Sequence, residues 1–225
     1  MIKFSTLVVA AAMLAMPGIA LAETLKFSFT GAVESINDGG NNNLPGGLGP
    51  FNVGDELSGM FTLDTALFTG GTGTRATYGG AVDNLMVTID GNTYLSTAAG
   101  SATVRNDDMA GSAAPLRDIF LASWSVSGPS AGGLSVSGFQ ISFGGTDAFA
   151  AGSISGVGAP SIAEFFSLFN NDSNDGNTKI LGFSDDSDVR FDVETLSIEV
   201  VPLPAAFGFL LAAIGGLGAL RLRRG

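Results

Sequence analysis

The chain has no cysteine and no histidine. Without cysteine, no disulfide can staple the fold. Without histidine, Ser-His-Asp and Cys-His nucleophiles are impossible, and so are the usual zinc sites. Basic residues are scarce. Between residues 23 and 200 there are only Lys26, Arg75, Arg105, Arg117, Lys179 and Arg190, while all 21 acidic residues lie in that stretch, a balance of −15. A body that acidic repels nucleic acid and anionic lipid headgroups, which excludes both as direct partners. Aromatic platforms are thin too, with one tryptophan and two tyrosines. What is abundant is glycine, 33 residues of it, the profile of a turn-rich β protein.

The two ends are apolar. Lys3 precedes an apolar run over residues 4–15, Pro17 and Gly18 break any helix, and Ala20-Leu21-Ala22 offers the small-x-small pattern of a signal-peptidase site. Residues 1–22 therefore read as a secretory signal peptide, with signal peptidase cutting after Ala22 to leave Glu23 first. At the other end, Val201-Pro202-Leu203-Pro204 leads into an unbroken apolar run over residues 205–220, then Arg221, Arg223, Arg224 and Gly225. The prolines set a helix start near Ala205. Sixteen residues at a 1.5 Å rise reach about 24 Å, short of the ~30 Å hydrocarbon core. Leu222 extends the run and the arginines can snorkel, so a transmembrane helix over 205–222 is marginal, which suits a transient anchor. The arginines stay cytoplasmic, leaving the body on the far side of the membrane.

Val201-Pro202-Leu203-Pro204-Ala205, the apolar helix and the arginine cluster resemble the PEP-CTERM sorting signal in its VPLPA variant. The resemblance covers residues 201–225. It implies an envelope protein of a Gram-negative bacterium handled by an exosortase-type membrane transpeptidase that cuts near the proline motif. Leu203-Pro204 replaces the Glu-Pro form, which points to a distinct enzyme subtype. The plainer alternative is an ordinary C-terminal anchor.

Residues 23–200 are one domain in length. Leu25, Phe27, Phe29 and Val33 alternate with polar residues, giving one buried and one wet face. A loop is expected over 38–50, a strand at 57–63 and another loop over 69–74. Leu85, Val87 and Ile89 lead to Asp90-Gly91, a hairpin signal because both turn residues accept positive φ. Short strands fit 102–105 and 119–126. The apolar parity changes between Val136 and Phe139, and again between Val193 and Leu196, which predicts β-bulges. Ser161 and Glu164 form a capping box before Ile162, Phe165, Phe166 and Phe169 at helical spacing. These elements predict an all-β fold, an antiparallel β-sandwich or jelly roll with one short helix.

The body is also similar to a recurring domain of PEP-CTERM proteins. The residues that carry the likeness are Val53-Gly54-Asp55, Ser58-Gly59-x-Phe61-Thr62-x-Asp64-Thr65, the stretches 78–82 and 85–91, and Asn106-Asp107. This likeness implies a fold and no activity.

Candidate sites are few. Asp172, Asn174 and Asp175, with Asn170, Asn171 and later Asp185, Asp186 and Asp188, have the oxygen chemistry of a calcium loop. Their spacing is not an EF-hand, since Asp175 stands where glycine is required and Leu181 where glutamate is. The plain alternative is a solvated Asx-rich turn. Asn106, Asp107 and Asp108, near Asp118, form a second oxygen cluster that reads more simply as an Asx turn after a strand. Trp124, Tyr78 or Tyr94 could stack on sugar rings, but Trp124 lies among Phe120, Ala122 and Val126 and reads as core. Paired carboxylates for glycoside hydrolysis need no histidine, yet none stands in a recognisable setting.

The expectation is a non-catalytic exported protein of the cell envelope or extracellular matrix, sorted by an exosortase-type system. The resemblance implies a link to biofilm or exopolysaccharide. The alternatives are a calcium-dependent carbohydrate-binding module and a cryptic glycoside hydrolase. No cofactor is expected beyond calcium. The expected partners are the processing enzyme, signal peptidase, the membrane through 205–222, and a polysaccharide.

Overall fold

The computed structural model describes residues 23–37, 48–69, 75–109, 116–145, 159–170 and 179–201. Nine strands follow in order: β1 (Thr24–Asn37), β2 (Glu56–Asp64), β3 (Arg75–Ile89), β4 (Asn92–Ser96), β5 (Gly100–Met109), β6 (Leu116–Ser127), β7 (Val136–Gly145), β8 (Ile180–Phe183) and β9 (Asp188–Val201). The helix α1 (Ile162–Asn170) lies between β7 and β8.

The pairing is antiparallel throughout and joins neighbours in sequence. β4 and β5 are two halves of one broken strand. β4 pairs with residues 86–89 of β3 and β5 with residues 75–82, and both also reach β6. Counting that pair as one position, eight positions run in sequence, and β9 returns to pair with β1. The sheet closes on itself, which removes the exposed edges of an open sheet. The order is that of an up-and-down meander; jelly-roll crossings do not occur among the described strands.

Closure leaves one interior, and the inward-facing alternate residues fill it. Phe27 of β1 and Phe120 of β6 sit at opposite points of the ring, yet their rings stack at 6.3 Å. Phe61 of β2 meets Trp124 of β6 at 5.1 Å, and Phe29 of β1 meets Phe139 of β7 at 6.4 Å. Opposite walls that touch this way make a packed core like that between two sheets, rather than a ligand-holding barrel.

β8 is short, so the stretch of β9 from Asp192 to Val201 pairs, among the described strands, only with β1. The helix packs against β7, β6 and β9 beside this seam. Its start is the capping box: Ser161 N donates to Glu164 Oε2 at 2.6 Å, and Glu164 N to Ser161 Oγ at 3.3 Å. Phe165 and Leu168 are buried, with Ile162 and Phe169 packed against the core. Leu168 takes the place expected for Phe166, because the stripe follows i, i+3, i+6 over the groove of the seam.

At the opposite end, residues 48–51, ahead of β2, turn inward. Leu48 and Phe51 are buried, and Phe51 meets Tyr94 of β4 and Phe183 of β8 at 6.4 and 6.1 Å. Tyr94 is 1% exposed, and burial pushes its phenol up to about 12 from 10.0. A raised folded-state value favours the fold below pH 10 and loses that contribution as pH climbs from 10 towards 12. The stability lost this way is on the order of a few kcal/mol. Stability measured by denaturant titration should therefore fall across this window in the native chain. Tyr94→Phe should flatten that part of the curve, and an unchanged slope in the variant would assign the effect elsewhere.

Both expected bulges are present. Val136 pairs with Phe183 and Gly138 with Gly182, so Ser137 is the extra residue. Gly31 pairs with Val193 and Thr30 with Thr195, so Glu194 is extra. The two-residue hairpin also forms, with Asp90 at φ 45° and Gly91 at φ 77°.

Candidate functional site

Asp172, Asn174 and Asp175 lie outside the described residues, as do residues 1–22 and the motif and tail from Pro202 through Leu203, Pro204 and Ala205 to Arg221, Arg223 and Arg224. Among the described residues no helix is long and apolar enough to cross a membrane. Asp185, Asp186 and Asp188 are described, and they build the β8–β9 turn. Asp185 Oδ1 accepts from Ser187 N at 3.0 Å, Asp186 adopts φ 67°, and Asp188 accepts from Arg190 Nε at 2.9 Å and from Asn37 Nδ2 at 3.0 Å. The hydrogen bond and charge of Asp188 hold the Arg190 guanidinium above its ordinary value.

Asn106, Asp107 and Asp108 are not a turn after a strand. They lie within β5, where Arg105 pairs with Ile119 and Asp108 with Arg117, a local irregularity in the ladder opposite the buried Asp118. Bulges keep polar residues in a strand without ending it, which is why turn-forming composition misplaced them. Trp124, Tyr78 and Tyr94 are all buried, so none offers a face for stacking.

Two surface features emerge instead. The first lies on the outer wall of β9, β1, β2, β3 and β4. Register places Thr195, Thr30, Ser58, Thr88 and Thr93 side by side across five strands. Thr30 and Thr195 share a 2.6 Å hydroxyl hydrogen bond, and Thr88 and Thr93 one of 3.1 Å. This row borders a groove of about 660 Å³ whose lining includes Asp55, Glu56, Asp90 and the bulged Glu194. Among the described residues no three acidic side chains converge closely enough to hold a metal ion. The groove is a negative surface that disfavours anionic ligands.

The second feature is a shallow notch of about 430 Å³ at the break between β4 and β5. Gly79 pairs with Ser101 but Val82 with Gly100, so Gly80 and Ala81 bulge out of the ladder. Gly80 has φ 76°, a conformation glycine adopts freely. Ser101 and Ser123 share a 3.0 Å hydroxyl hydrogen bond along the notch. Trp124 also lines it. A Cβ on Gly100 would stand 2.6 Å from Trp124 Cδ1 and 2.9 Å from Cγ, so only glycine lets the backbone lie this close to the indole's pyrrole edge. Trp124 is 4% exposed, and its Nε1 has no hydrogen-bond partner among the described residues.

Compared with family models, with curated proteins and with solved structures, the chain gives no match. The site rests on its own geometry. The notch escaped the sequence reading because its parts are distant in the chain. The signal that could have found it is the Gly79-Gly80 pair and Gly100, three glycines inside strand-forming sequence.

Proposed function

We propose that the chain is a non-catalytic exported β domain, held on the outer side of a membrane by its C-terminal tail until an exosortase-type enzyme processes it at Val201-Pro202-Leu203-Pro204-Ala205. A link to exopolysaccharide or biofilm follows from the resemblance of that tail. The observation that supports this reading is the pairing of Thr24 with Val201. Signal peptide and sorting tail would leave the domain side by side, at one end. Glu23, the residue expected to follow the signal-peptidase cut, is already tied down: its N donates to Thr65 Oγ1 at 2.9 Å, and its carbonyl accepts from Thr65 N at 3.1 Å. β1 starts one residue after the expected first residue Glu23, and β9 ends on Val201, the first residue of the motif.

Intact mass of the protein recovered from membrane, periplasm and medium of its host tests this. A surface or released form running from Glu23 to between Val201 and Ala205 is the expected result. A chain that keeps Gly225 and stays in the inner membrane under every growth condition would sink the sorting proposal.

A further inference from the structure

We propose that the outer wall of β9, β1, β2, β3 and β4 binds an extended amino-sugar chain with free, protonated amines, its hydroxyls set on the Thr/Ser row and its amines on the carboxylates beside that row. The choice of a glycan rests on the exopolysaccharide link proposed above; the surface and its preference for positive charge do not.

The shape and hydroxyl pattern of the wall carry the inference. The groove of about 660 Å³ adjoins a second hollow of about 330 Å³, and Thr30 and Ser58 line both. The second hollow adds Ser28, Thr195 and Ser197, and no charged residue lines it. Along this depression runs the row Thr195, Thr30, Ser58, Thr88 and Thr93. Strands stand 4.7–4.9 Å apart, so the row is about 19 Å long, room for several sugar rings and not just one. Thr30, Ser58, Thr93 and Thr195 are exposed. Each hydroxyl has one donor and two lone pairs, and each bonded pair in the row uses one donor. What remains suits a ligand whose neighbouring groups both donate and accept, as sugar hydroxyls do. Two residues along the same strands, Met60, Met86 and Leu95 stand side by side on the same face, Met86 and Leu95 exposed. A hydroxyl row beside an apolar row matches a sugar ring, which has polar edges and a C–H face.

Charge narrows the ligand class. Asp55, Glu56, Asp90 and the bulged Glu194 line the groove, and no basic residue lines either hollow. Four carboxylates repel a uronate and attract an amine. N-acetylation of the amine keeps the ring and its hydroxyls but removes the charge, so it separates the two parts of the recognition.

The purified full chain in detergent is titrated by calorimetry with glucosamine oligomers, the same oligomers N-acetylated, an oligogalacturonate, and an oligolysine of equal charge. The expected result is saturable binding of the glucosamine oligomers with Kd below about 1 mM. The acetylated form and oligolysine should bind at least about tenfold more weakly, and the galacturonate not at all. Glu56→Gln with Glu194→Gln should weaken binding about tenfold. Glu23→Gln with Asp186→Asn removes as much charge outside both hollows and should leave binding unchanged. Thr30→Val with Thr88→Val keeps the shape of the wall, and should weaken binding about threefold or more with melting unchanged. No saturable binding of glucosamine oligomers overturns the proposal. So does equal affinity for the acetylated chain or for oligolysine, an equal loss in the two carboxylate pairs, or full binding by the valine pair. Because binding is read on purified protein, its failure leaves the sorting proposal standing.

Discussion

Phe165→Ala is expected to destabilise the domain by about 3–5 kcal/mol, the range for truncating a buried aromatic. The ring is fully buried, edge-on to Phe27 at 4.9 Å and to Phe120 at 4.8 Å. Those two belong to opposite walls, so a single truncation removes contacts from both. Among the described residues no strand lies behind the gap, because β8 pairs with residues 188–190 of β9 alone. The cavity left would therefore collapse poorly. In a domain of this size the melting temperature should fall by roughly 10 °C. Phe166→Ala is the comparison: Phe166 is half-buried and outside the packed cluster, and should cost less than about 1 kcal/mol. Equal, small losses in both variants would mean that the helix is not seated in the seam.

Gly31→Ala should be the most damaging of the glycine substitutions. The added methyl would overlap the Asp192 carbonyl oxygen, and would stand 2.9 Å from its carbonyl carbon and 3.1 Å from Val193 Cα. All three obstacles are backbone, which cannot rotate aside as a side chain can. The close approach is made by the bulge at Glu194, on the strand pair that closes the sheet. Overpacking by side chains costs ~1–3 kcal/mol, and here at least about 3 kcal/mol is expected. Two other glycines set the scale. At Gly59 the obstacle is the Phe29 ring, with Cε2 at 2.7 Å, so a smaller loss is expected as the ring shifts. At Gly54, φ is 93° and no atom lies within 4 Å, so only conformational strain of ~1 kcal/mol remains. Urea midpoints for the three variants give the ranking. Gly31→Ala as mild as Gly54→Ala would show that β1 and β9 are not held this close.

Local chemistry was legible in the sequence. Alternation at Leu25, Phe27 and Phe29, the Asp90-Gly91 turn, the Ser161–Glu164 cap and both parity changes each depend on neighbours a few residues away. The first half of β3 was missed for a related reason: the bulge at Gly80 and Ala81 interrupts the alternation between Tyr78 and Val82. Asn106 to Asp108 were placed in a turn because their composition suits one, and only the pairing with β6 keeps them in a strand. Closure was not legible at all. Patterning says which face of β1 is buried, but nothing local says that its two neighbours are β2 and β9. The notch inherits that limit, since Gly79, Gly100 and Trp124 meet only once β3, β5 and β6 are aligned.

The pairing of β1 with β9 also sets how the domain would bear a pull. With the tail fixed and a ligand gripping the wall or the far rim, tension would enter at Val201 and run along β9. Thirteen paired positions with β1, from Thr24–Val201 to Asn37–Asp188, would then be loaded lengthwise. Sliding one strand past the other breaks many hydrogen bonds together, whereas peeling would break them singly. Resistance to such a pull is governed by the unfolding rate and not by equilibrium stability. The start of β1 would share that load, since Thr24 pairs with Val201 and Glu23 is held by Thr65.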